Sequence, residues 1–204
     1  HPADPIDPEN QRDCKREVLE QHADIGLVFD GDADRVFLVD ERAEGVSGSD
    51  VTALVAQAML ERSPGASVVY NLICSWAVPE VIRESGGTPI RTRVGHSFIK
   101  QVMADSGAVF GGEHSGHYYF RDNYRADSGV IAAVVVLERL SASDAPLSQV
   151  LEPLRRYRSS GEINSTVDDQ EGAIERLASA YEDGAHDRTD GLTVEFDDWW
   201  FNVR

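Results

Sequence analysis

Cysteine is nearly absent from this sequence: Cys14 and Cys74 are the only two in 204 residues. Two widely separated thiols exclude a disulfide framework and a Cys-x-x-Cys metal site, and they read as the reduced thiols of a cytoplasmic protein. Long apolar runs are missing too, since none approaches the roughly 20 residues that span a bilayer. The first residues, His1-Pro2-Ala3-Asp4-Pro5, lack the basic-then-apolar pattern of a secretion signal and lack an initiator Met, as a trimmed chain or fragment would. Positive charge is scarce, with 19 Lys and Arg against 36 Asp and Glu and a net charge of −17. That balance speaks against nucleic acid and anionic membranes as partners. Any anionic substrate would need a local basic cluster. What remains, 41% hydrophobic and 27% charged residues, is the composition of a soluble globular protein. The length allows one large or two small domains.

Against this background one stretch stands out: Asp30-Gly31-Asp32-Ala33-Asp34-Arg35. It lies between two apolar runs, Ile25 to Phe29 and Val36 to Val39, that read as buried strands. Asp and Gly are ordinary turn residues. Three alternating carboxylates in one tight loop, however, repel one another unless a cation sits among them. Hard divalent ions such as Mg²⁺ or Ca²⁺ take such oxygen ligands. An EF-hand would also use Asp30, Asp32 and Asp34, with Glu41 as last ligand. Its sixth position requires glycine and here holds Arg35, and a strand follows where further ligands belong.

The rest of the chain alternates. A helix is expected over residues 10–22, and another from 51 to 60 with its cap at Ser49-Asp50. Strands are expected at 66–72, 88–94 and 108–111, with helices at 77–84 and 98–103. Asp127-Ser128 caps a long apolar helix from Gly129 to Leu140, and a short helix runs from Leu147 to Arg155. This order predicts an α/β layer on a mostly parallel or mixed sheet. Beyond a boundary near 145–158 the pattern changes to strand (161–167), helix (171–181) and two strands (192–196 and 199–203), an α+β unit.

Two further stretches carry chemistry. In Gly111-Gly112-Glu113-His114-Ser115-Gly116-His117 a carboxylate, a hydroxyl and imidazoles alternate with glycines, which let backbone approach a ligand closely. Glu113 and Ser115, two apart, can point the same way and suit neighbouring sugar hydroxyls. A metal site on Glu113, His114 and His117 would be a poor chelate, and a plain hairpin with surface histidines is the bland alternative. In Arg91-Thr92-Arg93-Val94-Gly95-His96-Ser97, two arginines share a strand face and His96 opens a helix whose N-terminus favours phosphate. Taken alone, the arginines read better as a solvated edge.

Asp30-Gly31-Asp32-Ala33-Asp34-Arg35 resembles the metal loop of the α-D-phosphohexomutases, the phosphomannomutase/phosphoglucomutase family. Gly112-Glu113-His114-Ser115-Gly116-His117 matches that family's sugar-recognition pattern Gly-Glu-x-Ser-Gly-His, and Gly95-His96-Ser97 is similar to its ligand-facing Gly-His-Ser element. The resemblance implies Mg²⁺ on Asp30, Asp32 and Asp34, its remaining ligand a phosphoserine oxygen. It implies Arg35 and His117 as catalytic residues, and Glu113, Ser115, His117 and His96 as substrate-binding residues. Arg204 would be the first residue of a phosphate-binding loop. The implied fold is a mixed-sheet α/β/α domain of the phosphohexomutase type followed by a partial, TBP-like α+β domain. The implied activity interconverts hexose 1-phosphates and hexose 6-phosphates of mannose or glucose through a phosphoserine enzyme and a bisphosphate intermediate.

The resemblance further implies a fragment. Residues 1–45 correspond to the end of domain two with the metal loop, 46–150 to domain three, and 158–204 to most of domain four. The phosphoserine loop, like Thr-Ala-Ser-His-Asn-Pro, has no counterpart here, so N-terminal domains are missing and the chain alone should be inactive. Where some bispecific relatives place a substrate-contacting lysine, this chain has Ile73, which leaves mannose, glucose or glucosamine preference open. The alternatives are a phosphoglucosamine mutase of the same family and a non-catalytic metal- or carbohydrate-binding module.

Overall fold

The computed structural model describes residues 4–204 and divides into two compact units, one ending at Tyr157 and the other running from Arg158 to Arg204. In the first unit a short 3₁₀ turn (Pro8–Gln11) leads into α1 (Arg12–Gln21), followed by β1 (Ile25–Phe29), β2 (Val36–Asp40) and β3 (Gly45–Val46). These strands form an antiparallel sheet in which Phe29 pairs with Val36, so the aspartate loop is the turn of the β1–β2 hairpin.

Next come α2 (Gly48–Arg62), β4 (Ser67–Asn71), α3 (Ala77–Glu84), β5 (Thr88–Thr92), α4 (His96–Ser106), β6 (Phe110–Gly112) and β7 (Tyr118–Phe120). The second sheet has the order β5-β4-β6-β7, parallel except for the last pair. Period-two alternation along its strands builds two layers. Val68 and Tyr70 of β4, with Tyr118 and Phe120 of β7, pack with α2 and α3 and with α5 (Gly129–Ser141). The intervening Val69 and Tyr119 pack with Ile99 and Met103 of α4 on the other face. This is the α/β/α arrangement expected. Helix α2 is buried along most of its length, which explains its mostly apolar composition between Val51 and Leu60; truncating its Leu54 to Ala would cost about 2–5 kcal/mol.

Val36 and Leu38 of β2 belong to the same core cluster as α2 and α5. The hairpin that carries the aspartates is therefore packed into the first unit through apolar contacts. The unit closes with α6 (Leu147–Leu151) and a 3₁₀ turn at Glu152–Leu154.

The cap of α2 lies two residues earlier than expected: Ser47 Oγ accepts from the Asp50 amide at 3.1 Å. Ser49 is instead buried, its Oγ accepting from the Ser75 amide at 3.0 Å. The second unit holds α7 (Gln170–Ala180) and an antiparallel sheet of β8 (Ala185–Asp187), β9 (Leu192–Glu195) and β10 (Trp200–Val203), with Leu192 and Val194 in its core. The strand expected at 161–167 does not form. Ile163 and Val167 are exposed, at 78% and 46%, and without an apolar face or a neighbouring strand an extended segment has nothing to hold it.

Among the described residues, no helix is long and apolar enough to cross a membrane.

Candidate active site

The β1–β2 turn is shaped by backbone contacts. Ala33 takes a left-handed φ of 59°, a conformation that costs a non-glycine residue on the order of 1 kcal/mol. It is held there from outside: the Gly129 amide at the start of α5 donates to Ala33 O at 3.1 Å, and the Val36 amide donates to Gly116 O at 3.3 Å. Arg35 and His117 form an isolated antiparallel bridge. A Cβ on Gly129 would lie 2.6 Å from the Arg35 carbonyl, and one on Gly116, at φ 87°, would lie 2.5 Å from the Phe37 ring. These two glycines let the aspartate loop, the 113–117 loop and the α5 N-terminus meet.

Asp30, Asp32 and Asp34 each present a carboxylate oxygen within 4.8 Å of the other two. Arg35 Nε donates to Asp30 Oδ2 at 2.8 Å and its amide to Asp30 Oδ1 at 3.2 Å. Burial opposes ionisation of Asp30, but these hydrogen bonds prevail and hold it below the usual aspartate range. Asp34 is pushed the other way, first by burial and then by neighbouring Asp30, with His117 opposing. Its Oδ1 is buried and has no hydrogen-bond partner among the described residues. A buried, partnerless carboxylate oxygen among hard oxygen donors fits a small divalent cation. Arg35 also reaches Asp4 Oδ1 at 3.2 Å, which leaves most of its five N–H donors unused among the described residues.

The 113–117 turn closes through Glu113 N to His117 O at 3.0 Å and Gly116 N to Glu113 O at 3.1 Å. Glu113 points inward and is only 2% exposed. Its Oε1 accepts from the Tyr119 hydroxyl at 2.6 Å, and its Oε2 accepts from Asn71 Nδ2 at 3.0 Å and the Gly95 amide at 3.4 Å. Burial, followed by the Glu113 charge, pushes the Tyr119 hydroxyl far above its ordinary value. Of the roughly four acceptor positions on a carboxylate, about one remains for a ligand. Ser115 sits at the partly exposed tip of the same turn, so the two side chains lie in different surroundings despite their spacing.

His117 Nδ1 stands 3.0 Å from Asp127 Oδ2 and 3.9 Å from Asp34 Oδ2. Lys100 Nζ lies 2.9 Å from Asp127 Oδ1. Burial disfavours the Asp127 charge, but Lys100 outweighs it and keeps this carboxyl below the usual range. Asp34, His117 and Asp127 also have a spacing that could hold a metal. Both groups already face a cation, Lys100 on Asp127 and Arg35 on Asp30, but only the hairpin triad offers three carboxylates, the ligands a hard divalent ion takes.

His96 is the exposed first residue of α4, next to the Gly95 amide that reaches Glu113. Arg91 and Arg93 are exposed at and just beyond the end of β5, and the Arg93 guanidinium lies 4.3 Å over the Phe98 ring. Arg204 belongs to the second unit, where it is exposed and lies 3.6 Å from Asp190. The structure thus gathers Asp30, Asp32, Asp34, Arg35, Glu113, Ser115 and His117 around two facing loops, with His96 one residue from a Glu113 contact. Sequence reasoning missed Asn71, Lys100, Tyr119 and Asp127. Asp127 stood out only as a helix cap, and the other three look like ordinary strand or helix residues.

Residues 47–157, more than half of the chain, match the family description phosphoglucomutase/phosphomannomutase, alpha/beta/alpha domain III. The chain belongs to this family. It is 39% identical over 203 residues to a phosphomannomutase of Salmonella typhimurium, an alignment covering 98% of this chain and 44% of the relative. A phosphomannomutase of Methanocaldococcus jannaschii is 36% identical over 204 residues, covering 100% of this chain and 45% of that protein. The crystal structure of a phosphoglucomutase/phosphomannomutase family protein from Burkholderia thailandensis superimposes with a TM-score of 0.87 at 32% identity, over 98% of this chain and 43% of that one. The chain therefore spans less than half the length of the phosphohexomutase relatives it matches.

Proposed function

We propose that this chain forms the metal- and sugar-binding part of a phosphohexomutase that interconverts hexose 1-phosphate and hexose 6-phosphate. The observation that carries this reading is the meeting of the aspartate loop with the Gly112–His117 turn through the Arg35–His117 bridge. Two motifs distant in sequence converge on one site. Asp30, Asp32 and Asp34 would hold Mg²⁺, which supplies a Lewis acid beside a phosphoryl oxygen. Arg35, anchored by Asp30 and with N–H donors to spare, stabilises negative charge on the phosphoryl group in transit. Glu113 accepts a sugar hydroxyl from a fixed, buried position, Ser115 meets a second hydroxyl at the open tip, and His117 exchanges a proton with the reacting hydroxyl. His96, at the N-terminus of α4, faces the anionic end of the substrate.

The phosphoryl donor, a phosphoserine, belongs to domains that the relatives carry beyond this chain's span. A mutase assay on the chain joined to those domains tests the reading, with mannose, glucose and glucosamine phosphates as parallel substrates. Turnover of mannose or glucose 1-phosphate that disappears with Asp32→Asn and Arg35→Ala supports it. Turnover of glucosamine phosphate alone would move the protein to the glucosamine branch, and tight sugar binding by the bare chain would favour a binding module.

A further inference from the structure

Asp127 and Lys100 have no part in the reading above, yet their geometry bears on His117. Asp127 takes one cationic or N–H partner on each oxygen: Lys100 Nζ on Oδ1 at 2.9 Å and His117 Nδ1 on Oδ2 at 3.0 Å. Its side chain is only 13% exposed, and its backbone is fixed by a bridge to Tyr119 and by the neighbouring Ser128 amide, which donates to Tyr118 O at 2.9 Å. The imidazole is further confined by Tyr119, whose ring lies 6.3 Å away at 27° to it. Lys100 in turn lies 5.6 Å over that same Tyr119 ring.

A carboxylate facing an ammonium on one oxygen can only accept on the other. The imidazole nitrogen opposite Asp127 must then be the one that carries the proton. We propose that Asp127, held by Lys100, is a positioning residue that fixes His117 as the Nδ1–H tautomer and leaves Nε2 with its lone pair. Nε2 has no hydrogen-bond partner among the described residues, so it is the nitrogen open to a ligand. An ordinary ion pair between α4 and the start of α5 would place Lys100 and Asp127 together as well. It would not require the second Asp127 oxygen to meet a ring nitrogen at 3.0 Å.

The value of this tautomer, an acceptor nitrogen aimed at a sugar hydroxyl, rests on the mutase reading; the tautomer itself does not. The test is a long-range ¹H–¹⁵N correlation of the histidine side chains in the labelled chain at mildly alkaline pH, with the His117 signal assigned by its loss in His117→Gln. The wild-type ring should show the proton on Nδ1. Asp127→Ala should move it mostly to Nε2, and Asp127→Glu should restore Nδ1–H, with unchanged His96 and His114 signals reporting an intact fold. A wild-type ring protonated on Nε2 would overturn the proposal without any variant, as would Asp127→Ala leaving the proton on Nδ1 in a folded chain. In the domain-complete enzyme, Asp127→Ala should lower kcat by roughly 10–100-fold, by analogy with the carboxylates that orient metal-bound histidines, with KM nearly unchanged. If the wild-type enzyme turns over no hexose phosphate, the mutase reading falls and the tautomer result stands by itself.

Discussion

Replacing Asp34 by Asn should make the metal-free protein more stable while weakening its response to Mg²⁺. The reasoning rests on the crowding of the Asp30, Asp32 and Asp34 oxygens within 4.8 Å, with Asp34 Oδ1 buried and unpartnered. Two like charges at that separation repel by about 1 kcal/mol in water and about 3–4 kcal/mol at an effective dielectric of 20. The Asp34 side chain is 35% exposed, so solvent screening puts the figure near the lower bound, about 1 kcal/mol. Asn keeps the shape and removes the charge. In chelator, the unfolding midpoint of the first unit should rise by about 2–4 °C. With Mg²⁺ at a hundredfold excess over its dissociation constant, the wild type gains about 2.7 kcal/mol, and the variant should gain less than half of that. Scanning calorimetry with and without Mg²⁺ reads both effects. A variant that is less stable in chelator, or that gains as much from Mg²⁺ as the wild type, would refute the account.

Gly129→Ala should push the α5 N-terminus off the Arg35 carbonyl and raise the Mg²⁺ dissociation constant about tenfold or more, as losing the contacts that hold ligands in place does, measurable by titration calorimetry. Tyr119→Phe leaves Glu113 Oε1 without its donor in a buried site and should cost about 1–3 kcal/mol of stability in a denaturant melt. Glu41 caps α6 by accepting from the Ser148 amide at 3.1 Å and from its hydroxyl. Burial opposes its charge, but these bonds prevail and hold it below the ordinary glutamate value. That stabilisation is in place above the ordinary glutamate range and is lost as pH falls through the lowered folded value, so Glu41→Gln should flatten the acid limb of a stability–pH profile. On the mutase reading, the chain by itself should convert no glucose 1-phosphate in a coupled assay, and its Mg²⁺ affinity should be weaker than that of the chain joined to the relatives' further domains, where a phosphate oxygen would complete the ligand set.

Much of the layout was legible from residue patterns. The apolar runs on either side of Asp30 and Arg35 gave both hairpin strands, and Ser128 followed by an apolar stretch gave α5 and its cap. The short strand β7 was hidden because three residues flanked by a glycine turn carry too little periodicity to separate from the loop. Ser49 looked like a cap by type, yet tertiary contacts with Ser75 and His114 claimed its hydroxyl and left capping to Ser47. At the site, the motif residues announced themselves by composition. Their supports did not: Asn71 and Lys100 reach the site from remote segments, while Tyr119 and Asp127 reach it across the β6–β7 hairpin and the loop after it, and no local pattern encodes those contacts.

The anchoring of the aspartate loop also has a kinetic meaning. Its ties to Gly116 and Gly129 join segments that are remote along the chain, and such contacts form only after long loops have closed. The β1–β2 hairpin can form early from local pairing, but its carboxylates converge only once the mixed sheet and α5 have come together. Cation binding should therefore switch on in the last phase of refolding, and a metal-sensitive signal would serve as a clock for the completion of the first unit.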